Sequence, residues 1–217
     1  MNTSYSLEAE DIVASSLLRS IQSGLYYDIG AALPIEISNT YYFYQQGWTG
    51  LAVDGRAVGH LWEKHRPKDI FVRQLLGDGS TTSFVEFPDP TMNSCDPETV
   101  ARYKNRFDKS HVTTTVVKTE RASALWQTYF PHCAPDLVSL DVEGFEQEVL
   151  RGFDFVNMRP KLFIIELKQF NFKSPVEHPA AAYLYANDYS LVAKTPLDGF
   201  FIDRLSPAFS WLPKSML

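Results

Sequence analysis

Short apolar runs alternate along this chain with amphipathic stretches, and glycine, proline or an acidic residue marks most of the changes. Leu7, Ile12, Val13, Leu17 and Leu18 recur at helical spacing between Ser6 and Ser20. Glu8, Glu10 and Asp11 suit the first turn of that helix, and Gly24 closes it. Leu25 to Ile29 reads as a strand, Ser38 to Gln46 as a helix stopped by Gly47, and Gly50 to Asp54 as a second strand. Tyr41, Tyr42, Phe43 and Tyr44 make the second helix heavily aromatic, and most of these rings are expected in the core. Arg56 to His65 predicts a helix ending before Pro67. Asp69 to Leu76 predicts a third strand, closed by the loop Gly77-Asp78-Gly79-Ser80.

From Ser80 to Lys118 the alternation breaks. Phe84 to Phe87 reads as an edge strand cut by Pro88-Asp89-Pro90, and Asp96-Pro97 as the start of a helix running to Phe107. Arg102, Lys104, Arg106, Lys109 and His111 make this segment basic, and Val112 to Val117 is a β-branched strand. The regular pattern then resumes. A helix is expected over Glu120 to Tyr129, a buried strand over Asp136 to Leu140, a helix over Phe145 to Arg151, and a buried strand over Pro160 to Ile165. A helix from Pro179 to Asn187 precedes two β-rich runs, Tyr189 to Ala193 and Phe200 to Ile202, whose turn at Pro196 to Gly199 predicts an antiparallel hairpin. The fold class is therefore α/β: a Rossmann-like, mostly parallel sheet with helices on both faces and an antiparallel C-terminal hairpin. One domain is expected over 1–217, with the segment at about 80–118 inserted as a lid or acceptor-binding platform.

In such a fold, ligands bind where the carboxyl ends of the strands meet the following loops. Gly30 and Ala31 follow the first strand and let a ligand come close to the backbone. Asp54 ends the second strand about twenty-five residues after Asp28, where a Rossmann-type unit places the acid that holds a ribose diol. A dinucleotide calls for G-x-G-x-x-G after the first strand, whereas the turn here is Gly30-Ala31-Ala32-Leu33-Pro34. That turn suits a nucleoside without phosphates, and S-adenosylmethionine is such a ligand. Asp78 is either a partner for the exocyclic amine of the purine or an ordinary turn aspartate. The candidate cofactor-binding residues are Asp28, Gly30, Ala31, Asn39, Asp54, Gly55, Arg56, Gly77, Asp78, Asp141 and Val142.

Composition narrows the class further. At 217 residues and 45% hydrophobic content the chain can bury a full core, and a net charge of −6 disfavours broad binding to nucleic acid. Cys95 and Cys133 form no CxxC or framework spacing, which favours a reducing cytoplasm. The polar, acidic start predicts no signal peptide, and no apolar run is long enough for a membrane span. The oligomeric state is left open.

Several motifs together resemble the FkbM-type methyltransferases. They are Tyr27-Asp28-Ile29-Gly30-Ala31, Ser38-Asn39-Thr40, Gly47-Trp48-Thr49-Gly50, Ser139 to Glu146 with Asp141-Val142-Glu143-Gly144 at its centre, Val149-Leu150-Arg151-Gly152, Arg159-Pro160 and Ile164-Ile165-Glu166. The resemblance covers roughly residues 6 to 205. It implies a class I, S-adenosylmethionine-dependent O-methyltransferase acting on sugar hydroxyls of glycans, glycolipids or secondary metabolites. One departure is Gly55-Arg56 after Asp54, where many members of the family read an acid followed by proline.

Methyl transfer requires an acceptor oxygen aligned behind the methyl group, and a sugar hydroxyl is so weak an acid that a base or a metal ion should assist it. Asp141 and Glu166 end neighbouring strands, with Glu143 just beyond, so these carboxylates share one rim. They are candidate catalytic residues, together with His111 in the insertion. Asp141 and Glu166 are equally candidate ligands for Mg²⁺, a hard ion that takes oxygen donors. The structural alternative has Glu143 or Glu146 capping the following helix and Glu166 paired with Lys168 or an arginine. The expected partner is a carbohydrate or another hydroxyl-bearing acceptor. The competing functions are methylation of a non-carbohydrate acceptor, and a catalytically silent cofactor- or partner-binding module of a glycan-building assembly.

Overall fold

The computed structural model of the protein describes residues 3–108 and 111–216, so Lys109 lies outside the described residues. Its strands are β1 (Leu25–Ile29), β2 (Thr49–Asp54), β3 (Ile70–Arg73), β4 (Leu76–Gly77), β5 (Thr81–Glu86), β6 (Thr113–Lys118), β7 (Glu120–Arg121), β8 (Leu137–Leu140), β9 (Leu162–Glu166), β10 (Tyr189–Lys194) and β11 (Asp198–Asp203). The helices are α1 (Glu10–Leu17), α2 (Tyr41–Gln45), α3 (Gly59–His65), α4 (Pro97–Lys104), α5 (Ala122–Tyr129), α6 (Glu146–Leu150) and α7 (Pro179–Ala186). Seven strands form one sheet in the order β10-β11-β9-β8-β1-β2-β3. All its pairings are parallel except those of β11, which runs against both β9 and β10. This is the Rossmann-like sheet with a C-terminal hairpin that the hydrophobic pattern predicts.

The central strands are mostly apolar because both faces are covered, with Asp28 in β1 and Ser139 in β8 as buried polar exceptions. Tyr27, Ile29, Val138, Leu140, Phe163, Ile165 and Phe201 point to one face, where residues of α5, α6 and α7 join them. Tyr26, Ile164, Phe200 and Ile202 point to the other, under Ala14 and Leu17 of α1 and Phe43 of α2. Trp62 of α3 packs on Ala31 and Ala52 on that second side. Fully burying one such side chain stabilises the fold by about 1.5–3 kcal/mol, so a slip of one residue in any central strand would exchange the two faces at large cost.

Four elements differ from the sequence pattern. The third strand stops at Arg73, because Leu76 turns into the core and Leu76–Gly77 pairs in parallel with Glu120–Arg121. That pairing also claims the first two residues of the expected helix, so α5 begins at Ala122. The aromatic helix is short, since Ser38 uses its hydroxyl to hold the N–H groups of Thr40 and Tyr41 in a turn. Only Phe43 of its four rings is fully buried, and Trp48 fills the core beside it. Phe84 to Phe87 does not join the main sheet either. β5 and β6 form a separate antiparallel pair, and α4, capped by Asp96 on the Thr99 N–H at 2.7 Å, lies between them in sequence. Among the described residues no helix is long and apolar enough to cross a membrane.

Candidate active site

The carboxyl ends of β1, β2, β8 and β9, with the start of β11, bring together most of the residues singled out above. Gly30 has φ +79°, and a Cβ there would run into the carbonyl oxygen of Asp141, so only glycine lets the turn after β1 lie against the end of β8. The N–H groups of Gly30 and Ala31 bond the Val53 carbonyl at 2.9 and 3.1 Å, which ties the same turn to β2. Asn39 Nδ2 reaches Ser139 Oγ on β8 at 3.2 Å. Three loops thus meet around one small-residue floor.

Below that floor lies a buried polar network. Arg66 pairs with Asp69 at 2.6 Å, and its Nη1 donates to Thr40 Oγ1 at 3.0 Å. Thr40 in turn donates to Asp28, and Tyr26 donates to Asp69. Burial pushes the Asp28 carboxyl up to about 6, against the pull of Arg66 and Thr40. Arg66 holds no place in the sequence reading. A lone arginine at the end of an exposed-looking helix gives no sign that it will be wholly buried.

Asp54, at the end of β2, accepts from the Ala32 N–H and from both the backbone and the guanidinium of Arg56. Burial raises its carboxyl, and these bonds overcome that effect and hold it below the usual range. Beside it opens a cleft of about 460 Å³, bordered by Gly55, Leu75 and, from the β5–β6 arm, Phe84, Thr115 and Val117. Gly77 is buried against Thr119, away from this cleft's lining. Asp78 caps the Ser80 N–H at 2.8 Å, as an ordinary turn aspartate does.

At the end of β8, Asp141 is open to solvent on one side, with protein packed closely around its carboxyl. Burial, then the charge of Glu143, pushes its carboxyl up to about 6. Carboxylate oxygens of Asp141, Glu143 and Glu166 lie within 4.8 Å of one another. Lys168 sits among them, 2.6 Å from Glu143 Oε2 and 2.8 Å from Glu166 Oε2. Burial and Asp141 push Glu166 upward while Lys168 opposes them. The oxygen donors resemble a divalent-metal set, yet the ammonium already holds two of the three carboxylates, so the residues present do not fit Mg²⁺ without expelling Lys168. Neither Glu143 nor Glu146 caps α6, which has no side-chain cap; Glu146 Oε1 instead accepts from the Val142 and Gly144 N–H groups at 3.1 and 3.0 Å and fixes the loop after Asp141.

The segment 81–118 reaches this rim. Ser94 Oγ donates to the Glu143 carbonyl at 2.7 Å, and the Tyr103 hydroxyl meets Glu143 Oε2 at 3.3 Å. Arg102 and Arg106 are exposed, and so is His111, with no hydrogen bond to the rim carboxylates among the described residues. Asp198, absent from the sequence candidates, is the register partner of Glu166. Burial, then Asp141 and Glu10, pushes its carboxyl up to about 7. A smaller cleft of about 230 Å³ lies past Lys168, bordered by Asn171, Ser174 and His178.

The fold is Rossmann-like, a mostly parallel sheet with helices on both faces. The methyltransferase FkbM domain family matches residues 28–191, and the chain belongs to that family. It is a methyltransferase, and membership implies S-adenosylmethionine as the methyl donor. No curated protein matches the chain. Among solved structures, it is similar to the precorrin-6y C5,15-methyltransferase of Geobacter metallireducens GS-15, at 12% identity over 88% of this chain and 84% of that one, with a TM-score of 0.39. The residues fit the donor on their own terms. Asp54 offers a carboxylate at the end of β2, and the raised carboxyls of Asp141 and Asp198 favour a cation.

Proposed function

We propose that the protein transfers a methyl group to a hydroxyl of a carbohydrate, in a glycan, a glycolipid or a sugar-bearing metabolite, with Asp141 as general base. The observation that carries this reading is the Asp141 carboxyl at the end of β8, within 4.8 Å of the carboxylates of Glu143 and Glu166 and pushed up to about 6. Such a group is ionised at neutral pH yet basic enough to take a proton from an attacking hydroxyl. When bound, S-adenosylmethionine supplies an electrophilic methyl carbon on a sulfonium. Gly30 and Ala31 offer close backbone approach to its amino-acid part, and Asp54 accepts from the ribose hydroxyls. Leu75, Phe84 and Val117 give the neighbouring cleft apolar walls for a flat base.

Lys168 holds Glu143 and Glu166 in place, so that their free lone pairs and the Tyr103 hydroxyl can orient an acceptor hydroxyl toward Asp141. The carbohydrate reading is supported by the density of polar groups here: carboxylates, an ammonium and a phenol at the rim, and Asn171, Ser174 and His178 in the smaller cleft. A polyol can satisfy such groups, whereas an apolar acceptor would leave them unpaired. The test is incubation with methyl-labelled S-adenosylmethionine and a panel of glycans, followed by product mass. A labelled glycan is expected, with turnover rising through about pH 6 as Asp141 ionises. Asp141→Asn should lower kcat by about 10²–10⁴-fold. Label found only in amine or lipid acceptors would overturn the carbohydrate reading, and an unchanged kcat in Asp141→Asn would remove the base.

A further inference from the structure

The carboxylate that stands ready for a ribose is already taken by the chain itself. Asp54 Oδ1 accepts from the Arg56 backbone N–H at 2.8 Å and from Arg56 Nε at 2.9 Å. Its Oδ2 accepts from Arg56 Nη2 at 2.7 Å and from the Ala32 N–H at 2.9 Å. A carboxylate has about four lone-pair sites, and these donors use them all. The two backbone donors belong to the turns and stay. The two guanidinium donors sit on a rotatable side chain and approach both oxygens side by side, as the two hydroxyls of a cis-diol must.

We infer that Arg56 is the internal rival of the cofactor: it pairs with Asp54, and a ribose diol must displace it. This rests on Asp54 being the ribose acid, as proposed above. The displaced guanidinium has somewhere to go, because the charges of Asp89 and Asp141 both act on Arg56 where it now stands. Asp89 lies half-buried in the turn after β5 and spends Oδ1 on the Thr91 N–H and hydroxyl at 3.0 and 2.7 Å. None of those bonds involves Oδ2, so Asp89 can receive Arg56 and link an occupied cofactor site to the segment 81–118. Arg56 rests on Asp54 rather than Asp89, so the exchange runs uphill. The rivalry therefore weakens binding and favours departure of the spent cofactor.

Isothermal titration with S-adenosylhomocysteine tests this without any acceptor. Losing a partly exposed ion pair of this kind should let Arg56→Ala bind up to about fivefold more tightly than wild type, which is about 1 kcal/mol. Arg56→Lys, which keeps the charge but not the fork, should fall between them. In an Asp54→Ala background, itself weaker, removing Arg56 should change nothing. Asp89→Asn should weaken wild type and leave Arg56→Ala unaltered. Equal or weaker binding by Arg56→Ala would overturn the inference while leaving the cofactor reading intact, and an unaffected Asp89→Asn would overturn the transfer to Asp89. No binding by wild type and Arg56→Ala alike, or full affinity in Asp54→Ala, would bring down the ribose-acid reading itself.

Discussion

Lys168→Met removes the cation from the carboxylate rim while keeping most of the aliphatic stem, and its effect should depend strongly on pH. Oxygens of Asp141, Glu143 and Glu166 lie within 4.8 Å of one another. Two unit charges at that separation repel by about 3.5 kcal/mol at an effective dielectric near 20, and by about 0.9 kcal/mol in water. Asp141 is open to solvent, so screening leaves a penalty of about 1–2 kcal/mol when the carboxylates are charged. Without Lys168 the folded-state pKa values of Asp141 and Glu166, already raised, rise further from the unfolded ones. The folded protein then binds more protons than the unfolded chain, so stability falls as pH climbs through these folded values and recovers as it drops. Urea unfolding should show a loss of about 1–2 kcal/mol at pH 8 that shrinks to a small fraction at pH 5. The same loss at both values would mean that Lys168 contributes only packing, and the electrostatic reasoning would fail.

Three further outcomes follow from the same geometry. Gly30→Ala forces a side chain into φ +79° and into the Asp141 carbonyl, which should cost about 2–4 kcal/mol in urea unfolding and abolish calorimetric binding of S-adenosylmethionine; a variant as stable as wild type would deny the close approach. Because Lys168 already holds Glu143 and Glu166, a chelator should leave turnover unchanged, and loss restored by Mg²⁺ would contradict that. Asp141 and Asp198, at about 6 and about 7, are part-protonated at pH 6.5. Titrations in buffers of different ionisation enthalpy should therefore show proton release on binding S-adenosylmethionine, and less with S-adenosylhomocysteine, which lacks the sulfonium; equal release would detach these carboxyls from the cationic centre.

The sheet was legible because β1, β2, β8 and β9 are covered on both faces and so read as largely apolar runs, interrupted only by residues such as Asp28 and Ser139. Asp54, Asp141 and Glu166 were legible for the same reason, since each stands at the end of such a run. What the pattern hides is pairing. Leu76–Gly77 and Glu120–Arg121 are too short to carry a period, and they meet only through the fold. Asp198 enters the site through its antiparallel register with Glu166, which no local spacing announces. The β5–β6 arm borders a cleft with Phe84 and Val117, but its threonine-rich strand looks like any solvated edge. Arg56 was legible as a neighbour of Asp54 and not as its occupant, because side-chain direction is set by competition among partners rather than by position in sequence.

The central claim is that the methyl donor lies across the turn at Gly30, between Asp54 and Asp141. A crystal structure with S-adenosylhomocysteine tests it most directly. The account predicts ribose hydroxyls on Asp54, Arg56 swung clear, the amino-acid tail over Gly30 and Ala31, and the sulfur facing Asp141. A nucleoside bound elsewhere, with the Arg56–Asp54 pair still closed, would contradict it.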